Sequence, residues 1–136
     1  MSNLLRLSFI PSNWDFALLV LRIWLGGTLL LNHGWSKLVN FSAMSSRFGD
    51  PLHIGHPASL VLAVFAEVIC SLLLIVGFAA RFAALVIIIE LGVAFVLVHN
   101  LKLSGPGNGE VAFIYLAGLA AIFLAGAGRF SVDGKM

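Results

Sequence analysis

Charge is scarce in this sequence: eight Lys and Arg and six Asp and Glu amount to 10% of 136 residues, where soluble domains carry about 25%. So few charges cannot clothe a water-facing surface, which excludes an ordinary soluble domain. Cysteine occurs once, at Cys70, so the chain can form no internal disulfide and perform no dithiol chemistry alone. There is no Cys-x-x-Cys-His segment for covalent haem attachment. Basic residues form no cluster and no base-stacking module is present, so the net charge of +2 does not point to nucleic acid. No cleavable signal peptide is expected, because one Arg and an interrupted apolar run, LLRLSFIPSNW, precede the first long apolar stretch. That segment is expected to lie at a membrane interface.

What the chain has in excess is apolar length. Hydrophobic residues make up 60% of it and the mean hydropathy is +1.06. Four stretches are long enough, at about 1.5 Å per residue, to cross a hydrocarbon core near 30 Å: Phe16 to Lys37, Pro57 to Phe78, Arg81 to His99 and Glu110 to Arg129. None shows strand-like alternation, so each must satisfy its backbone internally as a helix. The fold class expected is all-α, a single integral membrane domain built as a four-helix transmembrane bundle. Pro57 suits a first helical turn, and the Gly-Phe-Ala-Ala-Arg segment at 77–81 leaves room only for a tight hairpin. The 38–56 segment mixes Phe and Met with polar residues and reads as an interfacial flap; loops of that length often carry function. An even number of spans puts both termini on one side. Arg6, Arg81, Arg129 and Lys135 lie there, against Lys37, Arg47 and Lys102 opposite, so the charge bias favours cytoplasmic termini. In the fourth stretch, Ala117, Ala121 and Ala125 form a small-residue ridge able to serve the bundle or a homodimer.

Three ionisable residues, Arg22, Glu67 and Glu90, stand deep within separate apolar stretches. A charge at membrane depth costs several kcal/mol unless it is paired or wetted, so each marks a candidate site. At about 100° per residue, His33 lies about 20° and Lys37 about 60° from Arg22 around the first helix, giving one interior stripe. Depth then pairs Arg22 with Glu67 and Glu90. One arginine facing two carboxylates leaves one of them able to hold and release a proton. The competing reading is that the charges only fix helix register. All four histidines, His33, His53, His56 and His99, fall on the face opposite the termini, together with Lys37 and Glu110. His99 does not fit the track, because nine residues separate it from Glu90, about 180° around a regular helix. His53, His56, His99 and Glu110 are of metal-ligand type, but the His-x-x-His pair sits in a loop without a second fixed pair, so no metal site is assigned. Haem between His33 and His99 is likewise not expected.

In order along the chain, the motifs are Leu21-Arg22, His33-Gly34-Trp35-x-Lys37, Gly55-x-Pro57, Glu67, Gly77-x-x-x-Arg81, Glu90, His99, Gly109-Glu110 with Tyr115, and Gly126-Ala-Gly-Arg-Phe-Ser-x-Asp133. Over residues 16 to 133 the chain thereby resembles the DoxX family of small four-span bacterial membrane proteins. It departs from the family pattern at Cys70 and Ser71, where two glycines are common, and at Phe130, where the family has tyrosine. The resemblance implies a place in the bacterial inner membrane and an association with redox metabolism, since relatives include a subunit of an archaeal thiosulfate:quinone oxidoreductase. On that basis the expected function is binding of a quinone or similar small apolar molecule in contact with membrane lipid. Glu67 and Glu90 would handle protons, with Arg22, His33, Lys37, His99 and Glu110 around the ligand. No covalently bound cofactor is expected, and a redox enzyme is the expected partner. Proton-coupled transport of a small hydrophobic compound and non-catalytic scaffolding of a redox enzyme are the alternatives.

Overall fold

A computed structural model describes residues 5–136, and the first residues of the N-terminal interfacial segment lie outside it. Among the described residues the chain is helical, without strands. Helix α1 runs over Trp14–Val39, a short α2 over Phe41–Met44, α3 over His56–Val76, α4 over Ala80–Val98 and α5 over Glu110–Ala125. By length and composition α1, α3 and α4 can each cross a membrane, and α5 is a shorter apolar helix of 16 residues. All four carry large apolar side chains on their outer surfaces, among them Trp24, Leu31, Ile69, Leu72, Phe82, Ile114 and Leu124. A surface of this kind suits lipid rather than water.

Local chemistry explains the boundaries. Asn13 caps α1, its Oδ1 accepting from Phe16 N at 2.9 Å. Pro57 sits in the first turn of α3, whose other end is closed by Gly77 at φ 73°, a left-handed stop. The turn into α4 is then so short that Ala79 is also left-handed, at φ 47°. This is the tight hairpin the sequence predicts. The fourth stretch is shorter than expected: Gly126, at φ 89°, ends α5 at Ala125, and the remaining residues fold back across the base of the bundle.

Helix α4 packs on α5 through the small side chains of Ala80, Ala83 and Ala84 with Ile87, Leu119 and Ile122. Helix α1 packs on the second half of α3. Gly26 and Gly118 sit at close crossings, against Ile75 and Leu25 respectively. The Ala117, Ala121 and Ala125 ridge faces outward and does not serve the bundle. Three of the four long helices contain a widened π turn: Leu30–Gly34 in α1, Phe65–Cys70 in α3 and Ala94–Val98 in α4. All three lie in the half of the molecule remote from the termini.

Candidate functional site

The widened turns surround a cavity of about 770 Å³ in that half of the bundle. Its walls are mainly apolar, from Leu29 on α1, Ala63 and Ala66 on α3, Val86 and Ala94 on α4, and Ala112 on α5. Into it face His33, Lys37, Glu67, Glu90 and His99, five of the seven residues singled out from the sequence. The connection between α2 and α3 covers it from outside with Phe48, Pro51, Leu52 and Ile54.

Lys37 Nζ donates to Glu67 Oε2 at 2.5 Å. The Glu67 side chain is 4% exposed and that of Lys37 17%, so breaking the pair would strand a buried charge at a cost of about 3–5 kcal/mol. Gly34 makes the pairing possible. A Cβ there would stand 2.6 Å from Glu67 O, so only glycine lets α1 approach α3 this closely at the level of the pair. Glu90, on α4, has its buried Oε2 without a partner among the described residues. The cavity thus holds two carboxylates and one ammonium, the imbalance the sequence predicts, but with a different cation.

Arg22 is not that cation. Its guanidinium points the other way, donating through Nη1 to Leu74 O at 3.1 Å and Ile75 O at 3.2 Å, and through Nη2 to Phe130 O at 2.5 Å. The expected pairing with Glu67 and Glu90 is therefore corrected. The last carbonyls of a helix lack intrahelical donors, and two of them at the end of α3, with Phe130 O, take three of the five N–H groups of the guanidinium, while its Nε has no partner among the described residues. Around it the C-terminal motif forms a clasp. Asp133 accepts from Ala79 N at 2.7 Å and Ala80 N at 2.9 Å, capping α4, and Asp133 N donates to Gly77 O at 2.9 Å. Ser131 Oγ donates to Gly128 O and accepts from Gly134 N. Asp15 accepts from Arg129 N at 2.8 Å. Gly77 has no room for a side chain, because Arg22 and Ser131 lie against its Cα.

Glu110 is exposed at the start of α5 and does not line the cavity, although its neighbours Gly109 and Val111 do. The widened turn at Ala94–Val98 brings His99 into place. Counted as one inserted residue, it reduces the offset from Glu90 from about 180° to about 80°. The His99 Nδ1 lies 2.9 Å from Gly107 O, so that nitrogen carries the proton, and Gly109 leaves space for the His99 Cβ. His33 meets the ring of Tyr115 edge-on at 6.1 Å between centroids. Tyr115 OH donates to Thr28 Oγ1 at 2.7 Å, which in turn donates to Trp24 O at 2.7 Å. Tyr115 is a lining residue that sequence reasoning left without a role; being the single tyrosine, on a helix apolar beyond Glu110 at its start, was its signal.

Asp50 was also missed. It accepts from Ser59 Oγ at 2.8 Å, Gly55 N at 2.9 Å and Ile54 N at 3.0 Å, pinning the covering loop to the start of α3. His56 Nδ1 adds a contact to Phe48 O at 2.6 Å. The hydrogen bond from Ser59, with smaller help from the Gly55 and Ile54 amides and the charge of His56, holds the Asp50 carboxyl below the usual carboxylate range.

The DoxX family model matches residues 17–100, well over half of the chain. The chain belongs to the DoxX family. The match covers α1, α3 and α4, and with them the five charged and histidine residues of the cavity. A protein of Haemophilus influenzae described as uncharacterised is 31% identical over 115 residues, covering 79% of this chain and 81% of its own. No solved structure matches this DoxX protein. In this membrane protein the His33-Gly34-x-x-Lys37 motif therefore has a physical account: His33 faces the cavity, Gly34 admits α3, and Lys37 closes on Glu67.

Proposed function

We propose that this DoxX protein binds a quinone, or a similar small apolar molecule with hydrogen-bonding oxygens, in the cavity between its helices, and that Glu67 and Glu90 exchange protons with it. The observation that carries the reading is the unpartnered Oε2 of Glu90, buried in an apolar cavity beside the Lys37–Glu67 pair. Ligand sites are typically cavities of about 300–1,000 Å³ with apolar walls and a few convergent polar groups, and this one fits. Lys37 and His33 supply donors for oxygens, His99, whose Nδ1 proton goes to Gly107 O, offers Nε2 as an acceptor, and the apolar walls take a ring. A bound quinone accepts two electrons, here from a redox partner protein, and two protons. Of two carboxylates sharing one ammonium, one can hold a proton while the other stays paired; giving that proton leaves a buried carboxylate unpaired, which must take up another proton, so two such passes supply the two a quinone takes. We place the protein in the bacterial inner membrane, with cytoplasmic termini as the Arg and Lys distribution favours.

Gentle purification from host membranes, followed by mass spectrometry of an organic extract, tests this directly. A quinone near one equivalent per chain, falling at least tenfold in Glu90→Gln and His33→Ala protein of unchanged yield, is the expected result. Lipid alone in the wild-type extract would overturn it.

A further inference from the structure

The walls of the cavity are not equally closed. The side remote from the termini is covered by Phe48, Pro51, Leu52 and Ile54, on a loop that Asp50 pins to Ser59. Between α3 and α4 the situation differs. These helices are in contact near the base, where Leu74 meets the Ala80, Ala83 and Ala84 surface, and as far out as the Phe65–Cys70 turn. Beyond it the first part of α3, His56–Val64, draws away from α4 and packs on the end of α1 instead. In the gap stand Leu62, Phe65 and Ile89, which line the cavity and are nevertheless 52%, 40% and 59% exposed. Val98 and Val111 also line the cavity at 53% and 55% exposure, but there α4 and α5 stay in contact, so it is at the α3/α4 gap that a side chain reaching from the cavity to the outer surface stands in a doorway. Every side chain in this one is apolar, and the surface around it, with Val61, Ile69 and Leu85, is the surface that suits lipid.

We infer that the cavity is filled sideways from the bilayer, through the gap between α3 and α4, and that its ligand is a membrane-dissolved amphiphile. The polar head lies inward at Lys37, Glu67 and Glu90, and a hydrocarbon chain leads out between Leu62 and Phe65 on one side and Ile89 on the other. Ile89 and Glu90 are adjacent in sequence, so one step of α4 supplies both the door-post and the group that meets the head. Leu62, Phe65 and Ile89 then set how bulky a chain the site accepts. A water-soluble ligand would need polar groups at the mouth, and the gap offers none. The inference rests on the reading above only in taking the cavity as the ligand site, and holds for any head the polar groups can bond.

The test asks from which phase the cavity is reached, without using a ligand. In the full chain in lipid nanodiscs, Cys70 is replaced by Ala and a single thiol is introduced at the lining position Ala94→Cys. Its rates with an uncharged benzyl methanethiosulfonate and with a trimethylammonium methanethiosulfonate are each normalised to those at the exposed loop position Ser104→Cys. The uncharged reagent is expected to react at least tenfold faster in relative rate. Adding Ile89→Trp should slow it at least tenfold, and Leu62→Trp does the same from the opposite post, should Ile89→Trp fail to fold. Equal relative rates for the two reagents, no effect of either tryptophan, or reaction with neither reagent would each overturn lateral entry. A failure here leaves the quinone reading to its own extraction test, and an extract without quinone leaves lateral access standing for another amphiphile.

Discussion

Arg22 shows how far a single buried cation can depart from the obvious partner. It is fully buried, yet it bonds only carbonyl oxygens, of Leu74, Ile75 and Phe130. Each of these oxygens would be left unsatisfied by its loss, at roughly 1–3 kcal/mol apiece. Arg22→Leu should therefore lower thermal stability in detergent by several kcal/mol, about 3 at least. Arg22→Lys should recover only part, since an ammonium cannot reproduce the planar fork. Neither should alter the affinity of the folded fraction for a cavity ligand, because the residue lies at the other end of the bundle. Ligand binding lost with stability intact would show that Arg22 serves the cavity after all.

At the scale of helices, the widened turns decide what sequence reasoning reached. Four apolar stretches and their breakers were legible because length, Pro57 and Gly77 act locally. His33, Lys37, Glu67, Glu90 and His99 were legible as polar residues that an apolar segment must place inward. Their mutual geometry was not. Depth along the spans assigned the cation to Arg22, and a fixed 100° step left His99 on the wrong side, whereas a π turn adds a residue with no signature in composition. The clasp was equally hidden, since nothing local tells Asp133 to cap a helix that begins 53 positions earlier in the chain. One packing consequence is directly checkable. Gly34→Ala would force a methyl group against the backbone of Glu67 and push α1 from α3. It should cost about 1–3 kcal/mol, as overpacking does, read by thermal unfolding, and Gly27→Ala, with open space around its Cα, should cost far less. Equal effects would mean that the crossing at Gly34 is not tight.

Taken whole, the molecule has a firm base and a covered mouth, and the cover responds to acid. The folded loop binds the Asp50 carboxylate, so protonating it is disfavoured there relative to a free chain. Its contribution is in place above the usual carboxylate value near 4 and is lost as pH falls below that through the lowered folded-state value. Hydrogen exchange at the Ile54 and Gly55 amides, corrected for intrinsic rates, should be slow and constant from neutral pH down to about 4 and should rise below it. Asp50→Ala should show the fast behaviour already at pH 7, with a change on the order of tenfold. Identical protection in wild type and variant would mean that the loop is held by other contacts.

The same distribution of contacts groups the helices two by two. One pair is α1 with α3, fastened by Gly34 and the Lys37–Glu67 bond; the other is α4 with α5, zipped by alanines. The two pairs are riveted at the base, where Arg22 and Asp133 reach between α1, α3, α4 and the C-terminal segment. Such an object is a pair of tongs. For the inferred lateral entry the arms need part only along the α3/α4 seam beyond the Phe65–Cys70 turn, while the rivet at the base and the Tyr115–Thr28 hydrogen bond between α1 and α5 hold the other seam.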